Sequence, residues 1–245
     1  QKHILHQTVE QISDKYQRHT NAIDFYKGNE PTFNVILQNF DIQRPELVEK
    51  TVNIILKSFE NTENGNDVPL FLITGNYGIG KSTHSLRVIN QLLNNDEIEI
   101  LAFEIYDTDN VDIEVLVDLF KKSECNNYIL FVKHIEKDSA FKSIFSLKNK
   151  LSNQDLSDIN ITILSSIRIN ILKRNTYEKR FSNQYHDINI NKPLNSIEVD
   201  ELLTKLNDKG LLNIRDAKTK EKYKKTIQDK YSGDILTALM ALIED

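Results

Sequence analysis

The feature that most constrains this chain is the segment VPLFLITGNYGIGKST, which begins at Val68. It matches the pattern G-x-x-x-x-G-K-[ST] at Gly75, Gly80, Lys81 and Ser82, between a predicted strand and a predicted helix. Residues without a β-carbon allow successive backbone N–H groups to turn inward around a phosphate, and the positive end of the following helix points at the same place. The segment therefore predicts a phosphate-binding loop.

The residues of this loop and of the helical turn after it are the candidate nucleotide contacts. Lys81 is expected to reach the β- and γ-phosphates, Ser82 to place its hydroxyl on magnesium, and Thr83 to contact the α-phosphate. A tight turn that happens to use glycine would not explain why three of only seven glycines lie between positions 75 and 80. The predicted cofactors are ATP or ADP with Mg²⁺, and the predicted binding residues of the loop are Gly75, Asn76, Tyr77, Gly78, Ile79, Gly80, Lys81, Ser82 and Thr83.

From Val68 onward, compact apolar runs of strand length alternate with helical stretches. Continuous apolar strands separated by helices are typical of a parallel sheet covered on both faces. The covering helices are predicted to begin near Lys81, Val111, Ser139 and Ile169. We therefore predict an α/β fold of the P-loop NTPase type with a five-stranded, mainly parallel sheet, formed by the runs VPLFLIT, EIEILAFEI, YILFV, NITILSS and YHDINI.

Helical patterns flank this predicted sheet on both sides. Residues 5–25 carry apolar side chains at roughly helical spacing and predict a short amphipathic helix, and a second helix begins at Pro45. Beyond Pro193 three helical stretches remain, roughly 196–207, 217–230 and 233–243, and we interpret them as a helical lid. The expected domains are an N-terminal helical entry segment (1–60), the α/β core (61–191) and the lid (192–245).

Composition limits the partners and the compartment that we expect. The net charge of -5 provides no chain-wide basic field, so neither nucleic acid nor an anionic membrane is expected as a partner. The single cysteine, Cys125, excludes an internal disulfide framework and a Cys-rich zinc site, which favours a reducing, cytoplasmic setting. No apolar run approaches the roughly 20 residues of a membrane helix. Because the chain starts at Gln1 rather than Met, we expect it to be part of a longer polypeptide.

The second element of a magnesium site is less regular. P-loop proteins commonly hold magnesium through an Asp at the end of another strand, the Walker B strand, and an acid that activates water often follows it. After YILFV these positions carry Lys133 and His134. Three alternatives stay open: Glu136 or Asp138 substitutes from one turn later, an acid comes from the group Glu104, Asp107 and Asp109, or hydrolysis is slow or absent. His134 is a further candidate base.

Several segments together resemble the STAND class of signalling NTPases, which includes the NACHT and NB-ARC switches and many bacterial antiviral proteins. The stretch FYKGNEPTFNVILQNFDIQRPELVEKTVNIIL is similar to the family's entry segment, in which an Arg approaches the nucleotide, and Arg44 is the matching residue. NITILSSIR resembles the sensor 1 strand, whose Arg points at the γ-phosphate, and Arg168 takes that place. DINI-NKPLNSIEVDELL resembles the last strand with the passage through Pro193 into the lid. YSGDILTALMAL resembles the helix over the base, with Asp234 or Ile235 at its Pro position.

The resemblance implies an ATP-binding switch whose nucleotide state controls the conformation and oligomerisation of a larger protein, in the narrowest placement a bacterial antiviral defence protein. It also implies effector and sensor domains on the same chain, a homo-oligomer, and weak or absent ATPase activity. One alternative is an AAA+ motor or loader that acts on DNA or protein and uses Arg180 on a neighbouring subunit. A second is a small-molecule kinase, although a lid that follows the last strand argues against it.

Overall fold

The computed structural model describes residues 9–12, 21–60, 67–133, 138–174, 181, 183–230 and 235–244. The strands of these residues are β1 (Val9–Ile12), β2 (Leu70–Gly75), β3 (Leu101–Ile105), β4 (Asn127–Val132), β5 (Asn160–Arg168) and β6 (His186–Asn189). The helices are α1 (Ala22–Tyr26), α2 (Phe33–Leu37), α3 (Pro45–Glu60), α4 (Lys81–Leu93), α5 (Ile113–Lys121), α6 (Asp138–Ser152), α7 (Ile169–Arg174), α8 (Ser196–Asp208), α9 (Ala217–Lys225), which continues as a π-helical turn (Thr226–Lys230), and α10 (Ile235–Glu244).

The strands form one sheet with the order β1-β3-β4-β5-β2-β6 among the described residues. Strands β2 to β6 run parallel to one another, and β1 alone in this set is antiparallel to its neighbour β3. The α/β fold with a mainly parallel sheet is thereby confirmed, and all five predicted strands are present. The sheet has one strand more than the apolar runs predicted.

The additional strand β1 lies within residues 5–25, for which one helix was predicted. The prediction is wrong at Val9–Ile12, whereas residues 22–25 lie in helix α1. Val9 pairs with Ile105 and Ile12 with Ala102 at the edge of the sheet. Residues three apart on an extended strand face opposite sides, and Val9 and Ile12 are buried in the two different core layers. Apolar residues three apart are therefore compatible with a strand that is buried on both faces as well as with one face of a helix.

Two apolar layers cover the two faces of the sheet. Phe71 and Ile73 of β2 belong to the layer that packs against α3, α4 and the lid. Leu70 and Leu72 alternate with them and belong to the layer under α5 and α6. This alternation, with every residue of β2 buried, explains why the strand is apolar without interruption.

The helical lid follows β6 as predicted, and α8 begins with a capping box. The Asn195 side chain accepts from the Glu198 backbone N–H, and the Glu198 carboxylate accepts from the Asn195 N–H. Buried residues of the lid, such as Leu202 and Leu239, belong to the same apolar layer as α4. None of the helices in the described ranges has both the length and the apolar character that crossing a bilayer requires.

The topology brings three strand ends together. The connection after β2 leads through α4 to β3 on one side of β2, and the connection after β5 leads to β6 on the other side, so the chain reverses its direction along the sheet between the neighbouring strands β2 and β5. Ligands of open α/β sheets bind beside the carboxyl ends of the strands at such a reversal. Gly75 at the end of β2 is the register partner of Arg168 at the end of β5, and Lys133 directly follows β4.

Candidate functional site

The loop after β2 has the backbone that the glycine spacing predicted. A β-carbon at Gly75 would lie 2.8 Å from Cγ2 of Ile79, so only glycine leaves room for the loop to fold back onto the strand end. Gly78 and Gly80 have φ angles of 70° and 86°, in the left-handed region where other residues are strained. Gly75 is thus required by a close approach, and Gly78 and Gly80 by their backbone conformation. A phosphate-binding loop needs glycine at such positions, whereas a simple turn does not need all three.

The Lys81 side chain lies across this loop. It is the first residue of α4 and is buried, and its Nζ donates to the backbone carbonyl of Asn76 at 2.8 Å. The helix N-cap is Gly80, which has no side chain, so no side-chain cap covers the first N–H groups of α4. Ser82 and Thr83 lie in the same turn. A phosphate therefore fits this position on charge, backbone donors and helix dipole together.

The phosphate loop is attached to the segment that leads into the lid. The backbone N–H of Asn76 donates to Oδ1 of Asn191 at 3.2 Å. Two residues earlier, the Thr74 hydroxyl donates to Asp187 at 2.6 Å, and the Thr74 carbonyl accepts from the Ile190 N–H at 2.9 Å. These hydrogen bonds join the phosphate loop and the end of β2 to the strand and turn that precede α8.

Arg168 lies against the loop. It ends β5 beside Gly75, and its guanidinium lies over the Tyr77 ring, 4.5 Å from the centroid. The Tyr77 side chain is 52% exposed, so the contact is at the surface of the loop. The structure thus brings Arg168 and the phosphate loop together, while a catalytic role for Arg168 stays a prediction.

The end of β4 carries an ion pair in place of the expected Asp. Nζ of Lys133 lies 2.5 Å from the carboxylate of Glu104 on β3, and 4.0 Å from that of Glu30 in the entry segment. His134 and Glu136, the other two candidate catalytic residues, lie outside the described residues, as does Arg180. The side chain of Asp138 is also not described.

The remaining acid candidates do not converge on the phosphate loop. Asp107 accepts from the Asn110 side chain at 2.7 Å, and Asp109 accepts from the Ser143 hydroxyl at 2.6 Å. Within the described ranges no three His, Cys, Asp or Glu side chains form a metal cluster. Ser82 can supply a hydroxyl to magnesium. The position whose carboxylate usually completes the magnesium site is Lys133, which cannot bind a cation.

A small pocket opens beside the first turn of α4, with a cavity volume of about 70 Å³. Its walls come from the entry segment, from the end of the phosphate loop with helix α4, and from Ile190 together with the lid. Most of its lining is apolar, which suits the flat face of a nucleotide base. The lining residues are Phe25, Tyr26, Phe40, Asp41, Ile42, Arg44, Val48, Ile79, Gly80, Thr83, His84, Arg87, Ile190, Leu202 and Leu239.

Arg44 lies on the wall of this pocket and is bonded to the lid. Its Nε donates to Glu198 at 3.1 Å, and its Nη2 donates to the carbonyls of Lys192 and Pro193 at 2.8 and 3.4 Å. Its Nη1 is buried and has no hydrogen-bond partner among the described residues. Pro193 does not line this pocket; its backbone carbonyl accepts a hydrogen bond from Arg44. Arg44 is therefore a link between entry segment and lid beside the site.

Three polar pocket residues were missed from the sequence. Asp41 accepts hydrogen bonds from the Arg87 guanidinium, through Nε at 3.0 Å and through Nη2, and its backbone carbonyl accepts from Nζ of Lys205. His84 on α4 shares a hydrogen bond with the Thr51 hydroxyl at 3.1 Å. These partners are 33 to 164 residues apart in the chain. No local pattern could therefore have identified them.

His84 makes stability depend on pH. Burial, assisted by the nearby Arg44 charge, lowers the pKa of His84 from 6.5 to about 4. Between these values the unfolded chain binds more protons than the folded chain, so the free energy of unfolding is expected to fall as pH decreases from 6.5 to 4, by up to about 1.4 kcal/mol per unit. Urea unfolding over this pH range would measure it.

The matched variant is His84→Gln, which keeps an amide for the hydrogen bond and has no titrating group. Its stability is expected to decline less steeply than that of the wild type over the same pH interval. Parallel profiles for the two proteins would show that His84 does not carry the effect.

Comparison with known proteins agrees with this geometry. The family described as Novel STAND NTPase 5 matches residues 23–180, well over half of the 245-residue chain. The match covers the entry segment from residue 23 onward, the phosphate loop and β5. A comparison with curated protein sequences finds no match.

Solved structures share the fold at low sequence identity. S. cerevisiae Hsp104 in its casein complex is 11% identical with a TM-score of 0.58, over 98% of this chain and 40% of that chain. C. elegans PCH-2 is 15% identical with a TM-score of 0.52, over 86% of this chain and 71% of that chain.

ORC1 of Aeropyrum pernix, in complex with DNA, is 12% identical with a TM-score of 0.54, over 85% of this chain and 61% of that chain. The chain thus spans two-fifths of the Hsp104 chain that it matches. These structures show the fold, and the family match identifies the site at the phosphate loop as that of an NTPase. With its phosphate loop between β2 and α4 and its match over residues 23–180, the chain belongs to the Novel STAND NTPase 5 family of P-loop NTPases.

Proposed function

We propose that this chain is the ATP-binding switch module of a STAND protein, in which the bound nucleotide sets how the lid packs on the core. The observation that carries the proposal is the shared pocket beside the phosphate loop. Its walls include Arg44 from the entry segment, Thr83 from α4, and Leu202 and Leu239 from the lid. A base bound there would contact all three parts, so filling the pocket would stabilise one arrangement of the lid.

The γ-phosphate can change this equilibrium only through contacts that differ between the two arrangements. Lys81 and Arg168 lie at the phosphate loop and are the proposed contacts. Arg44 is the proposed connection to the lid, because its guanidinium bonds to Glu198 at the start of α8. Ser82 remains the proposed hydroxyl ligand for a magnesium ion that accompanies the phosphates.

Hydrolysis is proposed to be slow or absent. Water activation requires a base at a defined distance from the attacking water. The position after β4 holds Lys133, which is paired with Glu104, so neither residue is available as that base. Arg168, His134 and Glu136 remain the proposed catalytic residues for any residual turnover.

The chain is further proposed to operate within a larger protein that carries effector and sensor domains and takes part in antiviral defence. Nucleotide-dependent assembly is the property to measure. The mass of the full-length protein is expected to increase with ATP or a non-hydrolysable analogue and to stay low with ADP. A monomer under all three conditions would contradict the switch.

The second candidate function is an AAA+ motor or loader. Its support is the fold shared with Hsp104, in a structure with casein, and with ORC1, in a structure with DNA. A motor would show steady-state phosphate release that stops on Arg180→Ala and is stimulated by DNA or unfolded protein. Absence of turnover with each of these additions would favour the switch.

Arg168→Ala is expected to reduce the preference of the chain for ATP over ADP. If the guanidinium meets the γ-phosphate, the loss is about 1.5–3 kcal/mol in ATP affinity, the range for a hydrogen bond to a charged group, with little change for ADP. Calorimetric titration of both nucleotides measures the ratio. Arg215→Ala, on an exposed loop residue, is the control. Equal losses for ATP and ADP would exclude a γ-phosphate contact.

A further inference from the structure

The ion pair of Lys133 and Glu104 lies at the end of β4, two strands away from the strand that carries the phosphate loop. Val132, the last residue of β4, is the register partner of Ser165 on β5, and β5 lies next to β2. Two strand spacings, roughly 10 Å, therefore separate the end of β4 from the strand that carries the loop. This is the edge of the sheet at which P-loop proteins hold their magnesium-binding Asp.

The Lys133 ammonium also lies on the sheet face from which the phosphate-binding helix starts. Its Nζ is 5.8 Å from the centroid of the Phe131 ring, and Phe131 packs in the same apolar layer as Leu86 and Ile89 of α4. Glu104 is the register partner of Phe131, so its side chain is on that face too. The side chains of Lys133 and Glu104 are each only 12% exposed.

The charge of this pair matches the charge of the group that it replaces. A magnesium ion with the usual Asp and a neighbouring catalytic acid has a net charge of zero, and so does the Lys133 ammonium with the Glu104 carboxylate. An ammonium is a compact cation with three donors, and lysines bind phosphate in this way elsewhere. The contact of 2.5 Å holds it in place, with the more distant Glu30 carboxylate at 4.0 Å.

We propose that the Lys133 ammonium, held by Glu104, takes the place of a carboxylate-bound magnesium ion at the nucleotide phosphates, so that this chain binds ATP with little dependence on divalent cations. The inference rests on the proposed ATP binding at the phosphate loop. It assigns Lys133 as a phosphate-facing residue, and it assigns Glu104 as the residue that positions it. A magnesium ion that arrives with ATP then adds little to the affinity.

The test is calorimetric titration of the protein with ATP in excess magnesium chloride and in excess EDTA. For the wild type the two dissociation constants are expected to agree within about threefold. For Lys133→Asp, which restores the usual acid, binding in EDTA is expected to be more than about tenfold weaker than in magnesium. Lys133→Arg keeps the charge and is expected to retain the wild-type ratio.

Lys133→Asp places two carboxylates together, so a second variant guards against loss of folding. The double variant Lys133→Met with Glu104→Gln removes both charges and leaves no unpaired buried ion. Its ATP affinity in EDTA is expected to fall about tenfold relative to the wild type, and its melting temperature checks the fold. An affinity in EDTA equal to that of the wild type would overturn the proposal, because Lys133 would then be only structural.

The remaining outcomes separate this inference from the proposed function. Wild-type ATP binding that is lost in EDTA and present in magnesium would overturn the role of Lys133 alone. No ATP binding in either buffer would overturn the proposed nucleotide switch, and this inference with it.

Discussion

Lys81→Ala is expected to weaken ATP binding by roughly 2–5 kcal/mol, the range for truncating one partner of a buried charged contact. The Lys81 ammonium is buried and lies across the phosphate loop, 2.8 Å from the Asn76 carbonyl, so it is held beside the backbone N–H groups that are expected to receive the phosphates. Its removal deletes the charge and leaves the backbone cradle intact. Calorimetric titration with ATP and ADP measures the loss.

Two variants make this result specific. Lys81→Met keeps most of the buried stem and is expected to lose as much affinity as alanine, because the charge carries the effect. Lys57→Ala, on the exposed side of α3, is expected to leave the affinity unchanged. Retention of full affinity in both Lys81 variants would mean that the phosphates do not bind at this loop.

Asp41→Ala is expected to lower the free energy of unfolding by roughly 3–5 kcal/mol, because it leaves the Arg87 guanidinium without its buried partner. The Asp41 side chain is only 2% exposed and that of Arg87 is 15% exposed. The pair joins the entry segment to α4, and the Asp41 backbone carbonyl also accepts a hydrogen bond from Lys205 of the lid. Urea unfolding monitored by circular dichroism measures the change.

Asp155→Ala is the matched control, because it also removes an aspartate from an ion pair with a basic side chain. Its pair with Lys121 spans 3.9 Å, and the Asp155 side chain is 80% exposed, so solvent screening reduces the expected cost to about 0–1 kcal/mol. Similar losses in the two variants would show that burial does not decide the strength of the Asp41 contact. ATP affinity of Asp41→Ala, measured below its unfolding transition, reports whether the pocket keeps its shape.

The phosphate loop could be predicted because its requirements are local. Glycine at three positions, a lysine and a hydroxyl residue all follow within one turn and the start of a helix. The apolar runs predicted the central strands β2, β4 and β5 for the same reason, since these strands are buried on both faces along nearly their whole length. Lys133 in place of Asp could also be seen directly, but its Glu104 partner could not.

The residues that were predicted wrongly, or not predicted at all, make their contacts with residues far away in the chain. Val9 and Ile12 fit a helical spacing equally well, and only β3 at the sheet edge decides that they form a strand. Arg44 was expected near the nucleotide, and the structure places it on the pocket wall while bonding it to Glu198, 154 residues away. Asp41 and His84 have no sequence signal, because their partners come from other elements.

The sequence by itself determined the class of fold, the phosphate loop and the absence of the usual Asp after β4, because each is written in consecutive residues. Tertiary structure alone decided that the loop, the entry segment and the lid share one pocket, and that Lys133 is paired with Glu104. Burial and charge pairing join residues that are far apart in the chain, and they exist only once the sheet and its helices have packed.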